Sequence, residues 1–302
     1  MNTILAQIDT LKKEKNAVIL AHYYVADEVQ ALADYVGDSY YLAKIAKNTT
    51  ADVLVFCGVS FMGESAKILN PDKTVLMPDA TADCAMAHMA DPVQIQALKA
   101  EYPDLAVVCY INSTAELKCL SDVCVTSSNA VKIVKALPNR NILFIPDENL
   151  GRYVAEQVPE KNVILNDGRC PIHAAISEDE LKAEMAKHPE AKVLSHPECR
   201  PAILALSDFI GSTAEILTYA KASDADAFII CTEDGVDYKL KNDSPEKRFY
   251  YPATRPRCQD MKRITPEKIL HVLQTGENAV TVSEELRRGA LLPLERMLEL
   301  AK

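Results

Sequence analysis

Three stretches decide how this chain folds: AVILAHYY at 17–24, LAVVCYIN at 105–112 and KVLSHPE at 192–198. Each is a short apolar run, rich in β-branched residues, that ends on polar side chains. Each also opens a block with the same order of parts. A helical stretch comes next, then a small-residue turn: GDS at 37–39, TSS at 126–128 and GST at 211–213. The turns run into YYLAKIAK, NAVKIVKAL and AEILTYAKA, which have helical spacing. Buried-strand runs follow at 52–58, 141–147 and 226–232, and last strands at 74–79, 162–167 and 248–253. Beyond each last strand stands a cysteine, Cys84, Cys170 or Cys258, at separations of 86 and 88 residues. The turns recur at 89 and 85 residues, so cysteines and turns share one period.

Short apolar strands alternating with amphipathic helices imply parallel sheets covered on both faces. A block of this length holds about four strands, too few for one large sheet. The expected fold is therefore α/β, with three αβα domains related by a pseudo-threefold axis and the active site at their central junction. The expected divisions are residues 1–86, 87–172 and 173–302. Helices at 3–14, 91–101 and 178–187 lead into the blocks. A partial fourth unit, made of PEKILHVLQTG, NAVTVS and the helix ending LERMLEL, closes against the first block. In open parallel sheets ligands bind beyond the carboxyl ends of the strands. All three cysteines, all three turns and the HYY, YIN and HPE tripeptides lie at such ends.

The chain has 302 residues, 48% of them hydrophobic and 25% charged, enough apolar content to build a packed core. Its net charge of −10 disfavours nucleic acid or an anionic membrane as a partner. No run approaches 18 apolar residues, and the first 20 residues lack a basic-then-apolar layout and carry Asp9 and Glu14. The expectation is a cytoplasmic protein whose nine cysteines are thiols or metal ligands rather than disulfides.

Cys57, Cys109 and Cys231 fall inside strand runs and read as small core residues. Cys84, Cys170 and Cys258 lie in loops, without the CxxC spacing of a zinc finger or ribbon. Three thiolates from three blocks suit a cubane Fe–S cluster with one iron left open to act as a Lewis acid. The residues by themselves leave a three-Cys zinc site equally open. Ser39, Ser127, Ser128, Ser212 and Thr213 stand where turns become helices. Such residues commonly cap helices, but three helix N-termini around one centre would also hold carboxylate or phosphate groups. His22 and Tyr24, Tyr110 and Asn112, and His196 and Glu198 end the first strand of each block. Imidazole, phenol and carboxylate are the groups that proton transfer requires. His173 is a further donor near Cys170, whereas His88, His188 and His271 read as surface or structural.

AHYY, GDSYYLAK, VFCGVSFMGESAKIL, CAMA, YINSTAELK, TSSNA, DENLG, GRCPIH, SHPEC, GSTAEI and CQDMKRIT occur in that order over nearly the whole chain. In this it resembles the quinolinate synthase family. The resemblance implies three pseudo-symmetric αβα domains and a [4Fe–4S] cluster with three Cys ligands, Cys84, Cys170 and Cys258, and one open iron. It implies condensation of iminoaspartate with dihydroxyacetone phosphate to quinolinate, with loss of phosphate and two waters, in NAD synthesis. A hand-off from an aspartate-oxidising enzyme is implied as well. Substrate contacts are expected at His22, Ser39, Tyr110, Ile111, Asn112, Ser127, His196, Pro197, Glu198, Ser212 and Thr213. Catalysis is expected from Tyr24, Glu198 and His196, with Glu198 raised in pKa by a facing dicarboxylate. The rivals are a zinc-dependent hydrolase using the same thiolates and a non-catalytic Fe–S redox sensor. Two departures stand out. The family has Gly before the first cluster cysteine where this chain has Asp83, and KRFYYPATRPR at 247–257 matches no family motif.

Overall fold

The computed structural model describes residues 2–302. Helix α1 (Asn2–Glu14) leads into a sheet built from β1 (Ala17–His22), β2 (Tyr35–Gly37), β3 (Val53–Cys57) and β4 (Thr74–Leu76), with α2 (Asp27–Leu32), α3 (Ser39–Asn48) and α4 (Ser60–Leu69) between them. Helix α5 (Pro92–Glu101) leads into β5 (Ala106–Tyr110), α6 (Ala115–Cys119), β6 (Val123–Val125), α7 (Ala130–Ala136), β7 (Asn141–Ile145), α8 (Glu148–Gln157) and β8 (Asn162–Leu165). A short α9 (Pro171–Ala174) and α10 (Glu178–Lys187) precede β9 (Lys192–Ser195), α11 (Pro201–Leu204), β10 (Phe209–Ile210), α12 (Thr213–Ala222), β11 (Ala227–Cys231), α13 (Val236–Asp243) and β12 (Arg248–Tyr250).

The three sheets have the same strand order, β2-β1-β3-β4, β6-β5-β7-β8 and β10-β9-β11-β12, and every neighbouring pair is parallel. This is the expected α/β architecture. The central strands are apolar throughout because helices cover both faces; Ala106–Tyr110 and Ala227–Cys231 are buried at every position. The fourth strand of each sheet is β2, β6 or β10. At two or three residues these are too short to show a period in the sequence, which displays only the turn after them.

The carboxyl-terminal segment differs from expectation in what it packs against. In NAVTVS, Ala279 makes one antiparallel bridge to Leu76, and Asn278, at φ 58, bends the chain away from extended pairing. Helix α14 (Pro266–Thr275), capped by Thr265 and ended by left-handed Gly276, does pack on α1. The last helix, α15 (Glu284–Leu300), lies across α4 of the first block and α6, α7 and β6 of the second. It buries Ala290, Leu294 and Met297, and so joins the first two sheets rather than closing the first alone.

Those two sheets and the last two helices share one continuous core. The third sheet has a separate core on each face. Leu194, Phe228 and Ile230 pack toward α12 and α13. Val193, Ile229 and Cys231 pack toward Leu181 and Ile203 on the other side.

Candidate functional site

The carboxyl ends of β1, β5 and β9 meet at one cavity of about 80 Å³. Its polar wall contains His22 and Tyr24, Tyr110 and Asn112, His196 and Glu198, together with Ser39, Ser127, Thr213 and His173; Cys84, Cys170 and Cys258 line it as well. Phe61, Met86 and Met261 supply apolar wall. Ile111, Pro197 and Ser212 are not on the lining. The Ile111 N–H is already donated to Val125 O at 2.8 Å, and its side chain turns to a smaller void beside Phe56 and Met62. Ser212 is fully buried as the N-cap of α12, where Glu215 completes a reciprocal capping box.

The turns also divide. Ser39 and Thr213 are the first residues of α3 and α12, and Asp38 rather than Ser39 caps α3 by accepting from Tyr41 N. The second turn does not present a helix end at Ser127. There, Asn129 Oδ1 takes the Thr126 N–H at 2.7 Å, and α7 begins only at Ala130.

His22 and His196 are held alike. Tyr24 N donates to His22 Nδ1 at 3.2 Å, and Glu198 N donates to His196 Nδ1 at 3.3 Å. Each HxY or HxE tripeptide thereby leaves Nε2 as the donor of a neutral ring. Burial drives both imidazoles down to about 3, with the Glu198 charge opposing.

The pKa of Glu198 is set here by its protein neighbours. Burial pushes its carboxyl up, but the His173 imidazole bonded to it prevails and holds it below the usual carboxylate range. Its Oε2 sits 2.7 Å from His173 Nδ1. From there a hydrogen-bonded chain crosses the site. His173 Nε2 lies 2.9 Å from Thr232 Oγ1, which lies 3.0 Å from the Tyr24 hydroxyl, itself 2.8 Å from Thr213 Oγ1. Burial, and then the Glu198 charge, raise the Tyr24 phenol well above its usual pKa, so it remains protonated. Thr232 was not evident from the sequence. It follows β11 where Gly58 follows β3 and Pro146 follows β7, so only the third repeat has a hydroxyl at that position.

Asn112 Oδ1 and Glu198 Oε1 are buried without a hydrogen-bond partner. Buried polar atoms are rarely left so, and both belong to residues lining the cavity, which marks them as ligand-facing.

Burial raises the pKa of the Cys84, Cys170 and Cys258 thiols, Cys84 to about 12, and the Glu198 charge further disfavours the thiolates of Cys84 and Cys170. All three line the one cavity. Among the described residues, however, the only group of three or more His, Cys, Asp or Glu donors within 4.8 Å of one another is Cys170, His173 and Glu198, which the hydrogen bonds already explain. Three sulfurs on one tetrahedral zinc would lie about 3.8 Å apart, given a Zn–S distance of about 2.3 Å. Cys84, Cys170 and Cys258 do not form such a group, which does not fit a single zinc held by all three and does fit a group that offers each thiolate its own metal atom. Cys57, Cys109, Cys124, Cys199 and Cys231 are buried, as core residues are. The unmatched 247–257 stretch has a structural role, since Arg255 bonds Asp234 and Asp237, each at 3.0 Å, and lies over the Tyr251 ring.

Comparison with known proteins agrees with this geometry. A family model described as quinolinate synthetase A protein matches residues 6–299. The quinolinate synthase of Clostridioides difficile (strain 630) is 51% identical over 98% of this chain and 97% of its own length. Those of Caldicellulosiruptor saccharolyticus and Fusobacterium nucleatum subsp. nucleatum are each 50% identical, over 99% and 98% of this chain and 98% of their own lengths. Among the described residues no helix is long and apolar enough to cross a membrane. A match of this extent, on a chain whose three repeats bring three thiols to one cavity, makes this protein a member of the quinolinate synthetase A family.

Proposed function

We propose that the chain is a quinolinate synthase that condenses iminoaspartate with dihydroxyacetone phosphate, releasing phosphate and two waters, in NAD synthesis. The observation that carries this reading is the meeting of the three in-register thiols with His22, His196, Tyr24 and Glu198 in one cavity. Cys84, Cys170 and Cys258 would hold a [4Fe–4S] cluster whose fourth iron, when the cluster is bound, supplies a Lewis acid for a hydroxyl or carboxylate.

The chain's own side chains account for the rest. Ser39, Ser127 and Thr213 offer hydroxyls to the anionic groups of the substrates, and the Nε2–H groups of His22 and His196 are neutral donors to the same groups. Asn112 Oδ1, without a partner, accepts from the nitrogen of the imine or its enamine tautomer. Glu198 enters ionised and takes up a proton at its free Oε1, while its Oε2 stays on His173. Tyr24 enters protonated and donates to a departing oxygen. The chain through Thr232 and His173 links that donor to that base, so protons leave one position and arrive at another within the site. Phe61, Met86 and Met261 limit water around an imine that water would hydrolyse.

Anaerobically prepared protein is expected to form quinolinate from both substrates and to contain iron and acid-labile sulfide. Single Cys→Ser changes at 84, 170 and 258 should each lose both the cluster and the activity, while Cys57→Ser keeps them. Full iron and sulfide in all three variants would overturn the ligand assignment, and absence of quinolinate from cluster-loaded wild-type protein would overturn the function.

A further inference from the structure

Each of the three cysteines on the cavity has its backbone N–H held by a carboxylate. Cys84 N donates to Asp83 Oδ1 at 2.8 Å, Cys170 N to Asp147 Oδ2 at 2.9 Å, and Cys258 N to Glu233 Oε1 at 2.9 Å. The second oxygen, or a second bond to the same one, ties each carboxylate to a regular element. Asp147 Oδ1 accepts from Leu150 N at 2.7 Å and so caps α8. Glu233 Oε2 accepts at 2.7 Å from the N–H of Gly235, the N-cap of α13, and Lys262 Nζ lies 3.0 Å from Oε1. Asp83 accepts from the hydroxyl of Ser60, the first residue of α4, and from His88 Nε2 at 2.8 Å.

The origin of the carboxylates is uneven. Asp147 and Glu233 both stand two residues beyond a central strand, β7 and β11. The corresponding residue beyond β3 is Val59, which has no carboxylate. Asp83, from the cysteine's own loop, makes the bond instead. The same interaction is thus built three times, once by a different route, although the surrounding loops share no sequence.

We propose that Asp83, Asp147 and Glu233 are positioning residues that fix the three ligand cysteines by capturing their backbone N–H groups, Asp83 standing in for the strand-end carboxylate that the first repeat lacks. The inference rests on the cluster reading above. Such a bond sets the direction in which a loop cysteine leaves the backbone, and a hydrogen bond to a carboxylate is strong enough to hold a loop otherwise free to turn. Removing the acceptor leaves the N–H to find water or the sulfur, and the ligand loop loses its link to the helix.

The test uses the full chain with its cluster assembled anaerobically, and reads the rate at which a strong iron chelator removes iron. Asp83→Ala and Glu233→Ala are expected to lose iron about tenfold faster than wild type. Asp83→Asn retains the acceptor oxygen for the Cys84 N–H and should restore most of the difference, which general loosening of the fold would not; Glu233→Gln can keep only one of its two backbone bonds and should fall between wild type and Glu233→Ala. In cluster-free protein the thiols of Cys84 and Cys258 should react faster with an alkylating reagent in the corresponding Ala variants only. Asp167→Ala, which removes an exposed carboxylate of the Cys170 loop paired with Arg169, serves as control and should match wild type in both readouts. Should Glu233→Ala not fold, Asp83→Ala decides, since that carboxylate is half exposed. Wild-type iron release in the Ala variants, with the Cys→Ser variants cluster-free, overturns this inference and leaves the cluster reading standing. Full clusters in the Cys→Ser variants overturn both.

Discussion

Glu198 shows how neighbours decide the chemistry of one side chain. Burial alone would keep its carboxyl protonated, yet the bond to the His173 imidazole holds it ionised. An ionised group can only begin as a base, so its partner in the reaction must be an acid, and Tyr24 is the buried phenol at the other end of the same chain. Glu198→Gln keeps the shape but cannot carry the proton. It is expected to retain iron and sulfide and to lose about 10²–10⁴-fold in quinolinate turnover. Thr232→Val breaks the chain between His173 and Tyr24 and should lower turnover, whereas Thr232→Ser should stay near wild type. Near-normal turnover in Glu198→Gln would assign that residue to substrate positioning and leave Tyr24 as the acid–base group. Single-turnover measurements under anaerobic conditions separate these outcomes.

At the level of elements, the start of α12 separates two roles that adjacent residues play. Ser212 is buried and caps the helix, bonded to Glu215 N, while Thr213 faces the cavity and the Tyr24 hydroxyl. Ser212→Ala should therefore lower stability by about 0.5–2 kcal/mol in denaturant melts and leave substrate affinity unchanged. Thr213→Ala should do the reverse, weakening binding by about 1–3 kcal/mol, the loss for a hydrogen bond to a charged group. Equal effects of the two substitutions on affinity would show that the helix end acts as one unit. The comparison also bears on α3, where capping falls to Asp38 and Ser39 is left free for the cavity.

For the molecule as a whole, the three repeats have one topology but unequal packing. The first two sheets share a core with α14 and α15, whereas the third is stabilised by its own two clusters. Between it and the rest run polar links such as Gln30 Nε2 to Gly235 O at 2.8 Å and Lys262 Nζ to Tyr24 O at 2.6 Å. Such a division favours separate cooperative units. In cluster-free protein at low denaturant, hydrogen exchange should release the amides of β9 and β11 together, apart from those of β1, β3, β5 and β7. A single exchange energy for all six strands would mean that the polar interface couples the repeats as firmly as a shared core does.

The period of apolar runs, turns and cysteines was enough to specify three parallel sheets and to bring Cys84, Cys170 and Cys258 to one place. Strand patterning is local, and equivalent residues of equivalent units end up at equivalent ends. His22, Tyr24, Tyr110, Asn112, His196 and Glu198 were legible for the same reason, since each stands just where a buried strand gives way to polar residues. Other features depend on contacts between residues far apart in the chain, and no spacing encodes those. Thr232 matters because His173 and Tyr24, 59 and 208 residues away, lie on either side of it. The ionisation of Glu198 depends on His173 from another loop. The resemblance named Ile111, and the repeated turn named Ser212; neither lines the cavity, because the Ile111 N–H is bonded to Val125 O and Ser212 caps α12. The carboxylates behind the cysteines are hidden most completely. Two of the three are more than 20 residues from the N–H they hold, and folding alone brings them within 3 Å of it.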